Sequence, residues 1–138
     1  MIGARYDDVG ANADQGSAYI FVRSGTSWTQ QAKLVASDGA TNDQFGCSVS
    51  ISADGAYAVI GARYDDVGAN SDQGSAYIFV RSDTSWTQQA KLVASDGVAG
   101  DFFGCSVAIS ADGAYAVIGA YYDDVGANTN QGSAYIFA

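Results

Sequence analysis

The chain has 138 residues, a net charge of −9, no proline, no histidine and no glutamate, so all 15 of its acidic residues are aspartate. Leucine occurs only at Leu34 and Leu92 and methionine only at Met1, and the plentiful alanine sits among β-branched and aromatic residues, which leaves little from which to build helices. The composition excludes a helical bundle, a basic nucleic-acid-binding surface and any histidine-dependent triad or zinc site, and it points to an all-β domain with many turns.

The words GARYDDVGAN begin at Gly3 and Gly61, and GAYYDDVGAN begins at Gly119, which sets a period of 58 residues. Residues 3–60 and 61–118 differ at seven positions: 13/71, 25/83, 40/98, 41/99, 42/100, 44/102 and 50/108. Such near-identity indicates a recent duplication or a designed chain.

Each period is predicted to contain four strands, taken here from the central copy. Cys47–Ser52 alternates and meets Ala53-Asp54-Gly55, a hairpin signal. Ala56–Ala62 follows and is almost wholly apolar. Residues 65–74 form a long turn rich in Asp, Asn and Gly, the residues that tolerate turn backbones. Ser75–Arg81 is the third strand, and Ser82–Ser85 the next turn. Trp86–Ala94 is the fourth and is more polar, as suits an outer edge guarded by Gln88, Gln89 and Lys91.

The middle strands are apolar on both faces, so both faces are expected to be covered. Four short antiparallel strands, graded from buried to polar, describe a β-propeller blade. A stacked β-solenoid is the alternative, although its coils are usually shorter than this period.

Several words resemble the FG-GAP family, the integrin-α-like β-propeller repeat, in its bacterial form. Phe45-Gly46 and Phe103-Gly104 resemble the FG, and Gly61-Ala62 and Gly119-Ala120 resemble the GA of GAP. Gly74-Ser75-Ala76-Tyr77-Ile78-Phe79 resembles the third strand of that repeat, and Trp86 with its Gln-Gln-Ala-Lys-Leu run the fourth. The proline of GAP is replaced by Arg5, Arg63 or Tyr121. The resemblance implies a propeller, and an extracellular or cell-surface setting for the parent protein. It also implies a place where calcium is often held, the hairpin between the first two strands. In this chain only Asp112 of that hairpin keeps the acidic type, with Ser50 and Ser52 at the matching places of the other copy, and a later acidic position falls on Ala58 or Ala116. Calcium takes six to eight oxygens, so none is expected there.

The long turns supply other oxygen ligands. Asp7, Asp8 and Asp14, with Asn12, recur as Asp65, Asp66 and Asp72, with Asn70, and the third copy has Asp123 and Asp124 with Asn128 and Asn130. These are the candidate calcium ligands, and turn chemistry alone also accounts for them. No catalytic constellation accompanies them, and no cofactor is required. Tyr6, Tyr64, Tyr121 and Tyr122 flank the same turns, where tyrosines bind sugars or pack between blades. Trp28 and Trp86 begin outer strands and are expected to cover blade edges. Cys47 and Cys105 occupy equivalent repeat positions, so they are expected to be small buried strand residues without a disulfide.

Met1-Ile2 aligns with Val59-Ile60, and Ala138 with Val80. The strands therefore divide into a partial blade over 1–44 (strands 2 to 4), a complete blade over 45–102, and a partial blade over 103–138 (strands 1 to 3). Two open blades expose apolar faces and strand edges. The expected remedy is head-to-tail association of about two net blades per chain. A closed homo-trimer would have six blades and a homo-tetramer eight, with residues 1–22 and 117–138 competing for one place. Nucleic acid and membrane partners are not expected, since the chain has no basic footprint, no long apolar run and no charged-then-apolar leader in MIGARYDD. The chain reads as soluble, its localisation is left open, and no natural ligand is specified.

Overall fold

The computed structural model describes residues 1–138 and contains ten strands and no helix. The first sheet comprises β1 (Ile2–Ala4), β2 (Ser17–Ser24) and β3 (Ser27–Leu34). The second comprises β4 (Ser48–Ile51), β5 (Tyr57–Ala62), β6 (Ser75–Ser82) and β7 (Ser85–Leu92). The third comprises β8 (Ser106–Ile109), β9 (Ala116–Ala120) and β10 (Ser133–Phe137). Each sheet is an antiparallel meander in chain order. The middle sheet is the four-stranded antiparallel blade that the repeat predicts.

Local chemistry closes the hairpins. At the β4–β5 turn the Ser52 hydroxyl donates to Asp54 Oδ1 at 2.6 Å, and the same carboxylate oxygen accepts from the Ala56 amide at 2.9 Å. Those two bonds hold the Asp54 carboxyl below the usual carboxylate range. Asp54 thus acts as a turn cap. The β6–β7 turn needs a left-handed residue, which is Asp83 (φ 56°) here and Gly25 (φ 61°) in the first sheet, so that difference between the copies is conformationally silent. A bulge between Ile78 and Phe79 leaves Gln89 of β7 without a partner and bends the outer edge, as Gln31 does in the first sheet.

The core lies between sheets. Ala58, Ile60 and Ala62 of β5 pack with Ala18, Ile20 and Leu34 of the first sheet, while Val59 turns to Ala116, Ile118 and Ala120 of the third. Strand periodicity thus sends alternate β5 residues into two different cores, which is why the strand is apolar throughout. Phe45 and Phe103, each fully buried, are the equivalent pivots of the two cores. Phe45 meets Tyr77 and Phe79 edge-on at 5.4 and 6.1 Å, and Phe103 meets Tyr135 and Phe137 at the same distances.

Two details depart from the sequence reading. Cys47 and Cys105 are half-buried and stand just before β4 and β8, outside the strands. Both are free thiols beside backbone carbonyls, Cys47 Sγ lying 3.4 Å from those of Gly61 and Gly104 alike and Cys105 donating to Gly119. Burial pushes both thiols up. Trp86 reaches beyond its own blade edge, and its indole N–H donates to Gln31 Oε1 of the preceding sheet at 3.1 Å.

Candidate functional site

The acidic turns repeat one design three times. In each, a two-residue bridge forms between Val9 and Asn12, Val67 and Asn70, or Val125 and Asn128. The second aspartate then caps the backbone: Asp8 Oδ1 accepts from the Asp14 amide at 3.0 Å, Asp66 Oδ1 from Asp72 at 2.9 Å, and Asp124 Oδ1 from Asn130 at 2.6 Å. Asp14, Asp72 and Asn130 are themselves left-handed, with φ of 52°, 55° and 54°. Short polar side chains tolerate that region, which explains their place in the repeat. The candidate calcium ligands therefore separate into two jobs. Asp8, Asp66 and Asp124 hold turns, with Asp14 and Asp72 as the residues held, whereas Asp7, Asp65 and Asp123 point toward a tyrosine on the third strand. No three carboxylate or thiol groups converge in an arrangement that could hold a metal ion.

The inner aspartates build an ionic clamp across sheets. Lys91 Nζ on β7 lies 2.7 Å from Asp65 Oδ2 and 2.7 Å from Asp38 Oδ2. Asp38 belongs to the loop that follows β3, so the pair joins the first sheet to the second. The Tyr77 hydroxyl donates to Asp38 Oδ1 at 3.0 Å and lies 3.4 Å from Asp65 Oδ2. Lys91 also sits over the Tyr77 ring, 5.4 Å from its centroid. Burial works against the charge on Lys91, but the two carboxylates prevail and its ammonium is held above the usual lysine range. Burial likewise opposes ionisation of Asp38, and the bonds from Lys91 and Tyr77 outweigh it, leaving the carboxyl below the usual range. Lys91 thus lies on the outer-edge strand, as the sequence predicts, but its partly buried ammonium ties two sheets together instead of only guarding the edge.

The clamp is incomplete at both outer sheets. In the first, Lys33 Nζ meets Asp7 Oδ2 at 2.7 Å, and Ser17 and Tyr19 donate to the same carboxylate, but no second carboxylate joins Lys33. In the third, the Tyr135 hydroxyl donates to Asp96 at 2.9 Å and lies 3.2 Å from Asp123, and neither carboxylate has a lysine partner.

Two further residues take roles that only the fold reveals. Asn70 Nδ2 donates to Gln73 Oε1 at 2.8 Å and to the Gly97 carbonyl at 3.2 Å, tying the acidic turn to the loop after β7. Asp43, buried in the loop before β4, accepts from the Ala40 amide at 2.6 Å. Burial, reinforced by the charge on Asp65, pushes its carboxyl up to about 6. A polar cavity of about 390 Å³ lies beside it, lined by Asp38, Asp43, Asp65, Asp66, Asp72 and Lys91. The spacing of these residues repeats with everything else in the chain, so only their contacts set them apart.

Tyr64, Tyr121 and Tyr122 gather around Phe102, while Tyr6 stays exposed beside Arg5. Tyr64 meets Phe102, in the loop leading to β8, edge-on at 5.2 Å, and Phe102 stacks on Tyr121 at 5.6 Å. One period earlier the same two positions are Gln44 and Arg63, and the Arg63 guanidinium donates to Gln44 Oε1 at 3.2 Å.

A family model described as FG-GAP repeat matches residues 28–79 and 86–137. Each match opens at the tryptophan of an outer strand and crosses into the three inner strands of the following sheet. No curated protein matches the chain.

Proposed function

The chain belongs to the FG-GAP repeat family of β-propeller blades, and on that premise we propose that it is a structural and interaction module that acts by binding, chiefly to further copies of itself. FG-GAP repeats are typical of extracellular and cell-surface proteins. The carrying observation is that each outer sheet presents half of an interface whose whole is seen inside the chain. Ile60 is 0% exposed against the first sheet, while its counterpart Ile2 is 58% exposed. Val59 is 0% exposed against the third sheet, while Val117 is 41% exposed. Trp28 stands free where Trp86 reaches the preceding sheet. The two halves are complementary because the repeat copies them from one interior contact, and such heterologous contacts close into a ring when the rotation per chain divides a full turn.

With two repeat periods per chain, closure as a trimer gives six blades and as a tetramer eight. Light scattering on the purified chain tests this. A trimeric or tetrameric mass is expected, and a monomeric mass at micromolar concentration would overturn the proposal. A second reading, calcium held beside the acidic turns, draws on the five carboxylates around the polar cavity. Melting with and without calcium separates the two readings.

A further inference from the structure

We propose that Asp96 of one copy and Lys33 of the next form the ion pair that sets the seam between chains, an inference that rests on the head-to-tail reading above. The middle of the molecule supplies the template. There, an aspartate from the loop of one sheet, a tyrosine, a second aspartate and a lysine of the next sheet converge as Asp38, Tyr77, Asp65 and Lys91. One period later the first three recur with the same geometry. Tyr135 lies 2.9 Å from Asp96 and 3.2 Å from Asp123, against 3.0 and 3.4 Å in the template. Asp123 is only 6% exposed, yet no cation joins it. One period before the template the lysine recurs as Lys33, with its own tyrosine and aspartate but without the aspartate from a preceding sheet. Each outer sheet therefore holds what the other lacks.

The pairing does not depend on how the seam resolves its surplus strands. The seam sheet takes its inner strand β8 from one copy and its outer strand β3 from the next, whichever copy contributes the strands between them. Asp96 precedes β8 and Lys33 lies on β3, so both are in place in every arrangement. The second aspartate and the tyrosine come from either chain, as Asp123 and Tyr135 or as Asp7 and Tyr19.

A backbone feature points to the same partner. The Ser48 hydroxyl accepts from the Val107 amide at 3.0 Å, and Ser50 from Ile109 at 3.3 Å, which ties β4 to β8 across the interior contact. At the seam, Ser106 of one copy occupies the place of Ser48 and faces the Val49 amide of the next. Ala108 replaces Ser50 and offers the following amide nothing. The seam thus keeps one of these two bonds and relies more heavily on its ion pair.

Zero-length carbodiimide coupling of the intact chain, with 14N- and 15N-labelled copies mixed before assembly, tests the pair. Isotopically mixed Lys33–Asp96 peptides are expected, with the intrachain Lys91–Asp38 peptide as the control that the reagent reaches such sites. Lys33→Met and Asp96→Asn are each expected to weaken assembly at least tenfold, and the double variant no further than either alone. An oligomer that yields only Lys33–Asp7 peptides and assembles equally well as Lys33→Met would overturn the pair while leaving the ring standing. A monomeric wild-type chain would overturn both.

Discussion

Gly61 of β5 lies against the carbonyl of Gly104 so closely that a methyl group at Gly61 would collide with that oxygen. Gly3 meets Gly46 in the same way one period earlier, whereas a methyl group at Gly119 would make only ordinary contact, the nearest atom being Ser106 Cβ at 3.5 Å. Gly61→Ala should therefore destabilise the chain by about 1–3 kcal/mol, the usual range for overpacking. Gly119→Ala should leave the single chain within about 0.5 kcal/mol of wild type, and in the oligomer it should weaken assembly only if β9 remains in the seam sheet. Urea denaturation and light scattering on the two variants check both statements.

The clamp yields a second expectation. Asp65 is nearly buried and relies on Lys91. Removing one partner of a buried ion pair leaves an uncompensated charge, at about 3–5 kcal/mol for full burial. Lys91 is partly exposed, so Lys91→Met should cost somewhat less, about 2–3 kcal/mol. Tyr77→Phe removes a hydroxyl alone and should cost about 1–2 kcal/mol from its hydrogen bonds. Chemical denaturation at neutral pH measures both.

The pH dependence has a definite sign. Asp43 titrates at about 6 when folded, above the ordinary value of 3.8, so the folded state holds its proton more tightly. Its contribution to stability is greatest below pH 3.8 and is lost as pH rises through about 6. Asp7, Asp38 and Asp54 are shifted downward and act oppositely, stabilising above pH 3.8 and losing that contribution as pH falls through their folded values. Asp43→Asn should keep the bond from the Ala40 amide, raise stability at pH 7.5 by about 1–2 kcal/mol and remove part of the slope between pH 4 and 6. Thermal melts across pH 4–8 compare the variant with wild type.

The pair Gln44–Arg63 and its successor Phe102–Tyr121 occupy equivalent positions with different chemistry, one a hydrogen bond and the other a ring stack. Gln44→Phe alone should lose the bond without gaining a stacking partner. Gln44→Phe combined with Arg63→Tyr should recover about 0.5–1.5 kcal/mol relative to the sum of the single changes. A double-mutant cycle in urea reads this coupling directly.

Calcium in place of a chelator should leave the melting temperature unchanged, because Asp8, Asp66 and Asp124 already cap backbone amides and Asp65 is neutralised by Lys91. A calcium-specific rise, absent with magnesium, would restore the acidic turns as a binding site.

Much of the fold is legible in the sequence because its signals are local. Ser52, Asp54 and Gly55 specify a hairpin within four residues, and the unbroken apolar run from Ala58 to Ile60 requires two covered faces. Asp14, Asp72 and Asn130 likewise announce their turns through residue type. The clamp has no such local mark. Asp38 meets Tyr77 across 39 residues and Lys91 across 53, and only the stacking of one sheet on the next brings them together. For the same reason Lys91 and Trp86 read as edge residues in a single strand but serve as contacts between sheets. The cysteines read as unpaired from their equivalent repeat positions and are free thiols, although Cys47 reaches the Gly104 carbonyl beside Cys105.

The two stretches that match the family begin on an outer strand and end in the following sheet, so each sequence unit is a staple between neighbouring blades rather than a blade. Duplication of such a unit copies a joint. Because the joints are near-identical, no contact within them encodes how many follow around a ring. In a ring of copies the count is fixed by geometry, as the wedge angle between successive sheets divided into a full turn and rounded to a whole number of chains. A change that opens or closes that wedge by a few degrees would alter the size of the assembly while leaving every individual contact intact.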